Sequence, residues 1–120
     1  MMYNDNVERL FFAGRHAGFN AVEGVPILHY VPNASALRVS FLLERRDKRW
    51  RLRYKVRGNP YIMAACEWIC EQAEQQQNQW DVPSLDEVMT FFAIPQLQQV
   101  SALQIVEMCR LVREALKKSE

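Results

Sequence analysis

Cysteine, histidine and glycine are all scarce in this chain, and each shortage closes a class of function. Three cysteines, Cys66, Cys70 and Cys109, and two histidines, His16 and His29, stand among 120 residues. The cysteines form an odd set without the paired short spacings of a zinc ribbon, so neither a disulfide framework nor a Cys/His zinc pattern is expected. The four glycines build no phosphate-cradling loop, and no nucleophile elbow, carboxylate pair or Cys/His couple marks a catalytic centre. The chain is therefore not expected to be an enzyme. Long apolar runs are missing too. Met1 to Arg15 is interrupted by Asn4, Asp5, Asn6, Glu8 and Arg9, which argues against a secretory signal or a membrane span and for a cytoplasmic protein.

What is present is a chain 49% apolar, enough for one core, so residues 1–120 are read as a single domain. The net charge of +1 conceals an asymmetry: Arg38 to Arg57 holds nine basic residues against Glu44 and Asp47, and the remainder holds six basic against twelve acidic. Within that stretch Trp50, Leu52, Tyr54 and Val56 alternate with Arg49, Arg51, Arg53, Lys55 and Arg57, the period of a strand with one face buried and one solvated. Ala36 to Glu44 supplies its partner strand and Arg45 to Lys48 the turn. Val25 to Val31 can form a third strand, with Pro26 and Pro32 restricted to an edge or to strand ends.

From Asn59 the period becomes helical. Asn59 is a suitable N-cap, Pro60 occupies the first helical position, and Ile62, Met63, Cys66, Ile69, Cys70 and Ala73 share one face. The polar tract Gln75 to Gln79 either extends this helix or forms a loop. Ser84-Leu85-Asp86-Glu87 is a capping box that opens a short helix to about Phe92, and Pro95 separates it from the last helix. That helix is expected to bury Val100, Ile105, Met108, Cys109, Val112, Ala115 and Leu116, and Lys117 and Lys118 suit its C-terminal dipole. Asn4 or Asp5 can cap a first helix through Phe12. The order predicts an α+β two-layer domain, a three-stranded antiparallel sheet packed against helices.

This order, with several local matches, resembles the NifU/IscU-type scaffold proteins of iron-sulfur cluster assembly over nearly the whole chain. Tyr3 to Glu8 and on to Gly18-Phe19 is similar to that family's N-terminal segment. Val31 to Ala36 falls where the family has a cysteine-glycine-aspartate loop, and Arg57-Gly58-Asn59-Pro60 where it has glycine-cysteine-glycine. Ile94 to Ala102 falls where it has a proline-containing chaperone-recognition segment followed by histidine-cysteine-serine. The resemblance implies an NifU- or SufE-like fold and places the three ligand cysteines at Asn33, Asn59 and Ser101 and the ligand aspartate at Ser35. Every expected ligand is replaced by a neutral amide or hydroxyl, a poor partner for iron beside a thiolate. Gln98 stands at or near the lysine of the chaperone-recognition segment.

The functional expectation that follows is a scaffold-like protein without the usual cluster site, kept as a binding or regulatory module with a protein partner in iron-sulfur biogenesis and no cofactor. The alternative is a genuine scaffold or sulfur acceptor that holds an iron-sulfur cluster or zinc through Cys66, Cys70 or Cys109, since Cys66 and Cys70 share a helix face. Their alignment with Ile62, Ile69 and Ala73 favours core packing. A further alternative is polyanion or nucleic-acid binding by the basic hairpin, with Arg49, Arg51, Arg53, Lys55 and Arg57 as the docking surface. Nucleic acid is disfavoured because Trp50 and Tyr54 alternate onto the opposite face, away from any bases they could stack on. His16, between Gly14 and Gly18, and His29 read as surface or hydrogen-bonded side chains.

Overall fold

The computed structural model describes residues 3–18, 24–32, 36–46, 49–76 and 79–118. Asn4 lies in extended backbone and its side-chain oxygen accepts from the Val7 amide at 2.9 Å, which starts helix α1 (Asp5–Ala13). Of the two caps the sequence offers, Asn4 is the one used. Gly14 ends the helix with a φ of +53°, a conformation that costs glycine little and other residues more.

Strands β1 (Gly24–Tyr30), β2 (Arg38–Arg46) and β3 (Arg49–Arg57) form an antiparallel sheet in the order β1-β2-β3. The β2–β3 register runs unbroken from Arg38 opposite Arg57 to Arg46 opposite Arg49, and the tip at 47–48 lies outside the described residues. In β1 the register slips between Pro26 and Leu28. Pro26 has no N–H for the ladder, so edge strand and irregularity coincide where sequence placed the proline. The outer edge of β3 is partly covered: the segment after α1 pairs in parallel with Tyr54, whose N–H donates to the His16 carbonyl at 2.9 Å and whose carbonyl accepts from Gly18 at 2.8 Å. Covering an edge in this way removes open backbone groups that another chain could pair with.

Val39, Phe41, Leu43, Leu52 and Tyr54 point from the sheet into one hydrophobic core. Helix α2 (Pro60–Gln76) packs on β3 and α1, and α4 (Gln99–Lys118) packs on β1. Helix α3 (Leu85–Phe91) opens with the expected capping box, Ser84 Oγ accepting from Glu87 N–H and Glu87 accepting from Ser84 N–H, both at 3.1 Å. A short 3-10 turn, Gln96–Gln98, precedes α4. This is the α+β arrangement the periodicities predict. Two readings depart: Arg45 and Arg46, expected in the turn, extend β2 opposite Trp50 and Arg49, and Val100, expected inward, is 64% exposed, because the buried stripe of α4 runs instead through Ser101, Ala102, Ile105, Met108, Cys109, Val112 and Leu116. Among the described residues no helix is long and apolar enough to cross a membrane.

Candidate functional site

Asn59 joins three parts of the chain. Its Oδ1 accepts from the Ile62 amide at 3.0 Å and so caps α2, while its Nδ2 donates to Ser101 Oγ at 2.9 Å in the first turn of α4. Beside it an open groove of about 370 Å³ is lined by Ala36, Leu37, Arg57, Gly58, Asn59, Ile62 and Gln104. The strand-to-helix junction is tight at Gly58, where an added Cβ would stand 2.8 Å from a Leu37 methyl and 3.3 Å from Ile62. Two of the four positions singled out from sequence, Asn59 and Ser101, are thus in contact across 42 residues. Asn33 and Ser35 lie outside the described residues. The paired groups are a neutral amide and a neutral hydroxyl already satisfied by one another, which leaves no anionic donor for a metal.

The thiols lie elsewhere. Cys66, Cys70 and Cys109 are fully buried in the core. Burial pushes all three thiols up, Cys109 to about 12, so each stays protonated at neutral pH and is a poor nucleophile and a poor ligand. Among the described residues no three His, Cys, Asp or Glu side chains are arranged to hold a metal ion.

Two surfaces flank this junction. Leu97 is 100% exposed, and Val100 and Leu103 are 64% and 52% exposed, three apolar side chains at successive spacings of three on the turn and helix that carry Ser101. No charged residue occurs from Val88 to Val106, so the ridge's neighbours along the chain are neutral glutamines, with exposed Glu107 one helical turn beyond Leu103. The basic hairpin is less open than its sequence suggests. Arg53 donates to Glu44 at 2.7 Å, with Glu44 itself 3% exposed. Arg51 donates to the Arg15 carbonyl at 2.6 Å and stands 3.6 Å from Glu74. Lys55 and Arg57 are exposed, and the Arg49 side chain lies outside the described part. The expected five-residue docking surface is therefore divided, with two of its arginines engaged in internal pairs.

A further cluster was not legible from motifs. Glu67, with no exposed surface, accepts the His16 backbone N–H at 3.0 Å and the Tyr54 hydroxyl at 3.3 Å on one oxygen and meets His16 Nδ1 on the other. His16 Nε2 lies 2.9 Å from Glu74 Oε2, an ion-pair distance, although off the line of a good hydrogen bond. Burial alone would lower the His16 pKa, but the bonds and fields of Glu67 and Glu74 outweigh it and raise the ring above its usual value. Burial would raise Glu67, and the His16 ring and amide overcome that and lower it. The two shifts agree: the pair is ionised. Tyr54 is pushed far up by burial and the Glu67 charge and stays a neutral donor. The signal that could have revealed the cluster is Glu67, Glu71 and Glu74 at i, i+4 and i+7, the three carboxylates of α2 on one stripe, each member of which meets a cation: His16, Arg9 at 3.4 Å, and Arg51 with His16.

No family model matches the chain, and a search of curated proteins returns no match.

Proposed function

We propose that this domain is a degenerate relative of the iron-sulfur assembly scaffold that works as a protein-docking module in cluster biogenesis and holds no cluster itself. The observation that carries the reading is the 2.9 Å bond between Asn59 and Ser101: two positions matched to ligand cysteines by resemblance meet in space, yet they offer neutral groups bonded to each other. On this reading a ligand site has given up its thiolates for a hydrogen bond. Docking is assigned to the exposed Leu97, Val100 and Leu103 ridge beside it, because contiguous apolar side chains on a surface mark protein contacts. On this reading the module acts in the cytoplasm, without catalysis and without a resident cofactor, and its partner is a component of iron-sulfur assembly.

Anaerobic reconstitution with iron and sulfide, read by visible absorption and metal analysis, is expected to give no stoichiometric cluster in the folded protein. A cluster that disappears in the Cys66→Ser/Cys70→Ser/Cys109→Ser variant would overturn the proposal in favour of a relocated site. The docking half is tested by calorimetric titration against the purified scaffold and its dedicated chaperone from the same cell. Leu97→Asp/Leu103→Asp should leave stability within about 0.5 kcal/mol of wild type, as expected for exposed positions, and should abolish binding to whichever component the wild type binds. Equal binding by both proteins removes the ridge from the proposal.

A further inference from the structure

The His16 cluster serves no part of the docking reading, and its geometry is that of a latch. Both nitrogens of the ring face carboxylates: Nδ1 meets Glu67 and Nε2 stands 2.9 Å from Glu74. A neutral imidazole has one N–H and one lone pair, so one of these contacts would set a lone pair against an anion. Only the doubly protonated ring serves both. The ties of this residue are also the ties of the segment after α1. The His16 N–H is held by Glu67, the Tyr54 N–H by the His16 carbonyl, and the Gly18 N–H by the Tyr54 carbonyl. Gly14 and Gly18 bracket the segment at φ +53° and +87°, conformations in which glycine permits rotation at little cost.

We propose that the protonated His16 ring is a latch that holds residues 14–18 against β3 and α2, and that this segment lifts from the edge of β3 when the ring loses its second proton. The ring meets Glu67 and Glu74 from α2, and these carboxylates are in turn met from β3 by the Tyr54 hydroxyl and the Arg51 guanidinium, with the neutral thiols of Cys66 and Cys70 near Tyr54. Arg9 from α1 is paired with Glu71. When the ring is neutral, Glu67 keeps the backbone N–H, the Tyr54 hydroxyl and the Nδ1 proton. Glu74 then faces a lone pair. Arg51, at 3.6 Å, is one cation beside it. An open cleft of about 310 Å³, lined by Arg9, Arg15, His16, Glu71 and Glu74 among others, lets water reach the carboxylates as the segment lifts. The same carboxylates raise the His16 pKa, which keeps the latch closed to a higher pH than an ordinary imidazole would. Lifting bares the Tyr54 N–H and C=O on β3, so the device decides whether that edge is open for pairing.

The test is amide hydrogen exchange by NMR on the full chain, with the His16 ring titrated by its own resonances in the same samples. The opening constant reported by the His16, Gly18 and Tyr54 amides should be flat below about pH 6.5, climb by up to tenfold per pH unit above it, and level off at the His16 midpoint, as linkage to one proton requires. Core amides such as Ile69 and Ile105 should not follow. An opening constant that ignores the His16 titration, or a rise shared equally by the core amides, overturns the latch. Glu74→Gln removes one of the two carboxylates at a partly exposed position (side chain 30%) where folding tolerates it. It should lower the His16 midpoint and, with it, the pH at which the rise in opening levels off. If neither moves, the latch is overturned as well.

Discussion

Glu67 has no exposed surface and survives as an anion because the His16 ring, the His16 amide and the Tyr54 hydroxyl converge on its two oxygens. Removing one side of a buried ion pair strands the other, so Glu67→Gln should cost about 3 kcal/mol by urea unfolding near pH 6. The pH dependence follows from the two directions. The folded Glu67 carboxyl is depressed, so its contribution is present above the ordinary 4.5 and disappears as pH falls through the folded value. The folded His16 ring is raised, so its contribution is full below 6.5 and disappears as pH rises through its folded value. The difference in unfolding free energy between wild type and Glu67→Gln should therefore be largest between about pH 4.5 and 6.5 and shrink on both sides. A difference constant from pH 4 to 9 would mean that the pair is not ionised. Sequence reading offered His16 as a surface or hydrogen-bonded side chain, and could not name Glu67 as its partner, because a contact across 51 residues leaves no trace in local periodicity.

Elements were far more legible than their partners, because each is specified by neighbours along the chain. Alternation of Trp50, Leu52, Tyr54 and Val56 with basic residues gave β3, the Ser84 to Glu87 box gave the start of α3, and Asn59-Pro60 gave the start of α2. Val100 was misplaced because a stripe read from sequence has a phase error of one residue at its frayed end, and one residue is 100° of helix. The end of α3 was legible only as far as Pro95. In the structure, Ala93 N–H donates to the Thr90 carbonyl at 3.2 Å and Ile94 N–H to the Met89 carbonyl at 2.9 Å, a Schellman termination whose left-handed position is filled by Ala93 at φ +50°. That position favours glycine, since a Cβ in the left-handed region costs about 1 kcal/mol or more. Ala93→Gly should raise stability by about 0.5–1 kcal/mol, part of the relief being offset by the larger entropy of glycine in the unfolded chain. The urea midpoint should rise at unchanged slope. A fall would mean that the Ala93 methyl contributes more than its strain costs.

At the scale of the whole molecule, the sheet and helices bring the start of α2 and the start of α4 together, and that meeting is what the ligand-like positions share. Asn59 and Ser101 could be singled out from sequence only through the family resemblance, since neither carries chemistry of its own. The structure brings these two positions into contact, and the proposed reading of a scaffold emptied of ligands can be tested by putting thiols back. The Asn59 amide nitrogen reaches one bond beyond where a cysteine sulfur would stand, so sulfurs at positions 59 and 101 would be separated by more than the 2.9 Å between Nδ2 and Oγ. On a tetrahedral zinc with Zn–S near 2.3 Å, two sulfurs lie about 3.8 Å apart, which this geometry accommodates without moving either helix. Asn59→Cys/Ser101→Cys should therefore bind one cobalt(II) with the charge-transfer absorption of thiolate ligation. Wild type, with its three cysteines buried, should show none of that absorption while folded. The cost of the double variant is the Asn59 cap of α2, about 1 kcal/mol, small enough for the fold to persist and for the metal to restore it. A folded double variant that binds no cobalt would detach these two positions from any ligand site and overturn the proposed reading of the domain.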